Sequence, residues 1–192
     1  MRLFIGIELS DAVRRNAAAT AERLRHGIAR NVPRAVLRWI PSENLHITVW
    51  FFGDVPDAGV VPLVDTLRAG LSVRPFTLRL AGIGIFPPSG VPRAIWLGLV
   101  AGRDPLLAVY DALRHRLQPL GFAPERRPFA PHLTIARVKN VHRSDVSAVH
   151  RVLRQADAGD VGACEITHAT LFKSRTLPDG SRYEALLRVP LI

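Results

Sequence analysis

Apolar and polar positions along the chain alternate in some stretches and recur at helical spacing in others. Leu3 to Leu9 reads as a buried strand. Ser10 is a plausible N-cap, and Val13, Ala17, Ala21, Leu24 and Ile28 follow at steps of three or four, predicting a helix from Asp11 to about Arg30. A short strand over Val36 to Ile40 and a longer one over Leu45 to Phe52, closed by Gly53-Asp54, come next. Val60 to Leu71 repeats the helical pattern, with Leu63, Val64, Leu67 and Leu71 on one face. Phe76 to Ile85 and Ala94 to Val100 read as strands parted by the turn Pro87-Pro88-Ser89-Gly90.

The second half continues the mixture. Asp104 to Leu120 is predicted helical and ends at Gly121. Leu133 to Val138 is a strand, and Ser144 caps a helix to about Ala156. Glu165 to Ser174 and Arg182 to Leu191 form a final strand pair joined by Pro178-Asp179-Gly180. Some neighbouring strands are linked by turns too short to cross a sheet, which favours α+β with antiparallel pairing over a doubly wound parallel sheet.

Two strings in this pattern match. Leu45-His46-Ile47-Thr48-Val49 and Pro131-His132-Leu133-Thr134-Ile135 each set a His-x-Thr among apolar residues. Alternate side chains of a strand point to opposite faces. Each string therefore shows His and Thr on one face and buries Ile47 and Val49, or Leu133 and Ile135, on the other. Laid side by side, the two strands would bring two imidazoles and two hydroxyls to one cleft. The expectation is thus two pseudo-symmetric lobes of antiparallel sheet, helices packed outside, with a central cleft carrying both motifs. One bilobal domain would span residues 1–192.

The tripeptide alone is weak. Random order of seven histidines and eight threonines gives about 0.3 matches, yet a third occurs at His168-Ala169-Thr170. It lacks the apolar brackets and reads as a strand coincidence. The weight rests on the brackets and the matched pair.

Composition narrows the partners. The net charge is +10, which commonly marks a polyanion partner, although an arginine-rich codon bias produces the same excess. Cys164 is the sole cysteine, so neither an intramolecular disulfide nor a cysteine zinc site is expected. No close His/Asp/Glu cluster has zinc-like spacing. No signal peptide or transmembrane run stands out, so a cytoplasmic, soluble, monomeric protein free of membrane contact is expected.

The flanks of the two strings carry a resemblance. Asn44-Leu45-His46-Ile47-Thr48-Val49 with Phe52-Gly53, and Phe129-Ala130-Pro131-His132-Leu133-Thr134-Ile135-Ala136-Arg137, resemble the two motifs of the two-histidine (2H) phosphoesterases. Val49 and Ile135 stand in place of leucine. Within that superfamily the chain looks most like the RNA 2′,3′-cyclic phosphodiesterases, also called 2′-5′ RNA ligases. Arg2 to Ile7, Phe86-Pro87 with Arg93 and Trp96, and Leu171, Ser174 and Tyr183 extend the likeness to almost the whole chain.

The residues suit that chemistry. Opening a cyclic phosphate needs in-line attack by water and a proton for the departing ribose oxygen. A neutral imidazole can take the first proton and a protonated one supply the second, since the ordinary histidine pKa lies near neutrality. His46 is expected as donor and His132 as acceptor, although the residues alone do not separate the roles. Thr48 and Thr134 can donate to the non-bridging oxygens. Arg137, five residues after His132 where Phe51 follows His46, could hold the phosphate. Strict alternation turns Arg137 away from His132, so its role comes from the resemblance.

Trp39, Phe129 and Tyr183 can stack on a base or serve the core, and Arg126 and Arg127 can meet RNA phosphates or simply be solvated. The resemblance implies hydrolysis to a 2′-phosphate without cofactor or metal, on RNA ends such as tRNA-like fragments or on nucleotides, and reverse ligation without ATP. The alternatives are a phosphodiesterase for small cyclic nucleotides or 2′-5′ oligonucleotides, and an RNA-binding domain without turnover.

Overall fold

The computed structural model describes all residues except Arg126, Pro178 and Asp179. The strands are β1 (Arg2–Glu8), β2 (Val36–Trp39), β3 (His46–Asp54), β4 (Phe76–Phe86), β5 (Ala94–Ala101), β6 (Leu133–Asn140), β7 (Asp160–Ile166), β8 (His168–Leu177) and β9 (Gly180–Pro190). The helices are α1 (Asp11–Asn31), α2 (Asp57–Arg68), α3 (Arg103–Leu117) and α4 (Val146–Gln155). The architecture is α+β, as expected.

Two antiparallel sheets share this material. One runs β3-β1-β8-β9 and the other β2-β6-β5-β4-β7. With β2 set aside as an added edge strand, the orders correspond, and the two His-x-Thr strands, β3 and β6, hold matching places. Each comes after a strand and a helix: β1 and α1 precede β3, while β5 and α3 precede β6.

The helices cross over. α1 and α4 pack together, with α1 lying against β6 and β7 of the five-stranded sheet. α2 and α3 pack together against β9 and β3 of the four-stranded one. α1 and α3 thus each serve the sheet opposite the strand they follow, β1 and β5, whereas α2 stays with the sheet of β3 and α4 with that of β6. Alternation holds each motif strand in place. Ile47, Val49, Leu133 and Ile135 point into the core and are almost fully buried. Each such side chain is worth about 1.5–3 kcal/mol, and together they hold His46, Thr48, His132 and Thr134 on the opposite face.

Several local expectations are corrected. The strand predicted from Glu165 to Ser174 is two strands, broken at Thr167. β7 pairs with β4 and β8 with β1, so the chain changes sheets there. Ser144 does not cap α4. It lies in a 3₁₀ turn over Arg143–Asp145, and its hydroxyl faces the ring of His142 instead. The helix predicted from Val60 to Leu71 begins at Asp57 and ends at Arg68, and Leu71 bridges to Leu191. The helix before Gly121 ends at Leu117 and tightens into a 3₁₀ turn, with Gly121 at φ 81°. Of the turn Pro178-Asp179-Gly180, the first two positions lie outside the described residues. Among the described residues, no helix is long and apolar enough to cross a membrane.

Candidate functional site

The two histidines are built alike. Nδ1 of His46 lies 2.7 Å from the carbonyl oxygen of Asn44, and Nδ1 of His132 lies 2.7 Å from that of Ala130. Each carbonyl belongs to the residue two positions earlier. A carbonyl only accepts, so each Nδ1 carries the proton and Nε2 of the neutral ring is left unprotonated. Nε2 of His46 lies 3.1 Å from the Thr48 hydroxyl. The carboxamide of Asn44 donates to the Ser181 carbonyl at 2.8 Å, pinning the segment before His46 to β9.

Aromatic rings set both imidazoles. His46 has Phe4 at 4.7 Å and Tyr183 edge-on at 5.1 Å. His132 has Phe86 edge-on at 4.9 Å and Trp96 at 6.1 Å. The Trp96 indole lies against Gly84, where a Cβ would fall 2.1 Å from the ring. This position requires glycine.

Both imidazoles are held below the ordinary histidine pKa. Burial against these rings is the main cause. The Nδ1 hydrogen bond opposes it, and the positive charge of Arg137 adds to it at both histidines. One guanidinium therefore acts on both rings, although His46 and His132 come from different sheets.

A bulge puts Arg137 there. In the β5–β6 ladder Trp96 pairs with Thr134 and Ile95 with Ala136, so Ile135 is skipped. The extra residue reverses the alternation. Ile135 and Ala136 are both fully buried, and Arg137 returns to the face of His132 and Thr134.

β3 does the same. Gly6 pairs with Thr48 and Ile5 with Trp50, so Val49 is skipped and Phe51 reaches the face of His46. Phe51 is 40% exposed, and the guanidinium of Arg2 sits 5.2 Å from its ring centre. Phe51 was not among the expected base-stacking residues. Its signal was two consecutive apolar residues interrupting an alternating strand.

The other aromatics divide. Tyr183 touches His46. Phe129 stacks on Tyr110 at 4.7 Å and packs against the core. Trp39 pairs with Ala136 in the β2–β6 ladder and is half-buried against the core. Arg127 is exposed in the loop before His132, and Arg126 lies outside the described residues.

The third His-x-Thr surrounds a carboxylate. Glu8 pairs with His46 across the β1–β3 ladder and so shares its face. Its Oε2 accepts from the buried Thr170 hydroxyl at 2.6 Å, with His168 Nε2 at 3.2 Å and Arg188 Nε at 3.6 Å. Burial alone would raise the Glu8 pKa, but these three partners outweigh it and hold the carboxyl below its ordinary value. His168 and Thr170 were expected to be incidental, whereas they fix this acid. Among the described residues, no three His, Cys, Asp or Glu side chains gather as a metal site would require.

Known proteins similar to this chain share one family. The family model of the 2′-5′ RNA ligase superfamily matches residues 13–176. A protein of Methanocaldococcus jannaschii named RNA 2′,3′-cyclic phosphodiesterase is 33% identical over 186 residues, covering 97% of this chain and 98% of the relative. One of the same name from Aeropyrum pernix is 32% identical, covering 87% and 92%. Among solved structures, TT0787 of Thermus thermophilus superposes with a TM-score of 0.77 at 25% identity, covering 100% of this chain and 98% of that one. E. coli LigT complexed with 3′-AMP does so at 0.70 and 26% identity, covering 99% and 97%. With its length matched almost end to end, the chain belongs to the 2′-5′ RNA ligase superfamily.

Proposed function

We propose that the chain opens 2′,3′-cyclic phosphodiester ends of RNA to 2′-phosphates, with His46 and His132 as acid and base. The observation that carries this reading is the matched pair of imidazoles, each with Nδ1 bound to a carbonyl and Nε2 left for proton transfer. The names of the relatives support the substrate.

Water attacks phosphorus opposite the 3′ oxygen. Nε2 of His132 takes the water proton, the P–O3′ bond breaks, and Nε2 of His46 gives its proton to the departing oxygen. Each transfer contributes about 10²–10⁴ in rate. Thr48, Thr134 and Arg137 meet the non-bridging oxygens where charge develops. The product, with its 2′-phosphate and 3′-hydroxyl, leaves; with a 5′-hydroxyl in place of water, the same steps and the same histidine roles join the cyclic end in a 2′-5′ linkage and release the 3′-hydroxyl.

The low histidine pKa values fit this scheme in a particular way. Free enzyme at neutral pH holds both rings neutral. The phosphate anion favours protonation of a nearby imidazole, so substrate binding helps to arm the acid.

The test is incubation of purified protein with an oligoribonucleotide bearing a 2′,3′-cyclic end, in EDTA, with the product phosphate located by ³¹P NMR. A 2′-phosphate is expected, and both His46→Ala and His132→Ala should abolish it. A 3′-phosphate, a chelator-sensitive reaction or activity surviving both substitutions would overturn the proposal.

A further inference from the structure

The proposed mechanism leaves one basic surface unused. β6 continues from Arg137 to Lys139, and beside it lies an open groove of about 460 Å³. Val91, Arg93, Arg137, Lys139 and Asn140 are among its lining residues, and no carboxylate is. Arg137 belongs to both places: it acts on the two imidazoles and lines the groove, so the groove continues the site.

Its charges are arranged at a cost. Arg38 on β2 stands directly opposite Arg137 in the β2–β6 ladder, and both are exposed. Like charges facing each other across a ladder destabilise it. Some cations elsewhere are neutralised by carboxylates, as at Arg14–Asp11, Arg25–Glu22, Arg79–Asp160 and Arg175–Glu184. Among the described residues, Arg38, Arg93, Arg137 and Lys139 have no such carboxylate. Three of these side chains, Arg93, Arg137 and Lys139, line a groove large enough for a phosphodiester and its sugar, and an anion in it would relieve their mutual repulsion. Arg137 and Lys139 are two residues apart, about 7 Å along a strand, which separates two anion positions rather than crowding one.

We infer that this groove holds a backbone phosphate of an RNA chain whose cyclic end occupies the His46–His132 site, so that the preferred substrate is an oligonucleotide rather than a cyclic mononucleotide. The inference rests on the phosphodiesterase reading above. Arg93 is suited to the role because its backbone is held independently of its side chain: its N–H donates to the Phe86 carbonyl at 2.7 Å, and its carbonyl accepts from Val138 at 2.9 Å.

The experiment compares a 2′,3′-cyclic mononucleotide with a short oligoribonucleotide ending in the same cyclic nucleotide. Wild type and the exposed-residue double variant R93Q/K139Q are assayed across a range of salt, with circular dichroism confirming the fold. Wild type should prefer the oligonucleotide at least about 10-fold in kcat/KM. The variant should lose about 10-fold or more on the oligonucleotide and less than about two-fold on the mononucleotide. The slope of log affinity for the oligonucleotide against log salt should become shallower by about 0.7 for each phosphate contact removed.

Equal losses on both substrates, or no loss on the oligonucleotide, would overturn the groove. Wild type that opens the mononucleotide as readily as the oligonucleotide would overturn the groove alone and leave the phosphodiesterase reading standing. Wild type that opens neither would overturn both.

Discussion

Gly84→Ala tests how tightly the aromatic frame holds His132. A methyl group at position 84 would lie 2.1, 2.2 and 2.5 Å from three carbons of the Trp96 indole. Carbon atoms settle at about 3.5–4.0 Å, so the ring must withdraw by roughly 1.5 Å. On one side it meets the rings around His132. Phe86 lies 5.0 Å away between centroids and His132 6.1 Å away, while Phe86 itself sits edge-on to His132 at 4.9 Å. The displacement therefore passes to the imidazole. Overpacking of this kind costs about 1–3 kcal/mol, or a fall in Tm of about 2–12 °C for a chain of this size. A reacting group displaced by about 1 Å can cost about 10²-fold in rate. The assay is kcat on a 2′,3′-cyclic substrate well below the variant's Tm, so that unfolding does not contribute. The expected result is a loss of about 10–100-fold in kcat with KM little changed, partly restored in G84A/W96L, where the indole is gone. Wild-type kcat and a Tm within about 1 °C would refute the transmission from Gly84 through Trp96 and Phe86 to His132.

Arg137→Gln should raise the pKa of both histidines, because it removes a cation that lowers both. NMR titration of the imidazoles and an activity optimum moved to higher pH would show it. Loss of a charge-assisted phosphate contact, about 1.5–3 kcal/mol, should lower kcat/KM by about 10–100-fold. Acid should weaken the fold through the same rings. Their folded pKa values lie below the unfolded one, so their contribution is complete above about pH 6.5 and is lost as pH falls through the folded values. Urea midpoints should decline over that window, less steeply in H46Q/H132Q. Thr170→Val should cost about 1–3 kcal/mol by taking a buried donor from the Glu8 carboxylate. Thr48→Val, at an exposed position, should leave stability within about 0.5 kcal/mol while lowering kcat. Thermal melts of the two threonine variants separate these outcomes.

What could be read in the sequence follows from where the information is local. β1, α1 and the motif strands were legible because their apolar positions repeat at 2 or about 3.6 residues and Ser10 accepts from the Val13 N–H as an N-cap should. The break at Thr167 was not, because alternation reports that a segment is extended and not which sheet it joins. The imidazole pair was legible because each His-x-Thr carries its own apolar brackets. The rings around it come from β1, β4, β5 and β9, and no spacing connects Phe4 with Tyr183 or Gly84 with Trp96. Arg137 stands between these cases. Alternation placed it on the wrong face, and only the bulge at Ile135-Ala136 returns it. Two adjacent buried residues in a half-exposed strand were the trace of that bulge, and Val49-Trp50 carries the same trace.

Those paired bulges give the enzyme a sense of direction. Everything up to the threonine is nearly interchangeable between β3 and β6, so the frame alone would accept a substrate either way round. The fifth position after each histidine breaks the tie, with an aromatic ring at one end and a guanidinium at the other. The geometry assigns left and right to a site that is otherwise its own mirror in function. Exchanging Phe51 and Arg137 would turn that asymmetry end for end while leaving both His-x-Thr frames as they are.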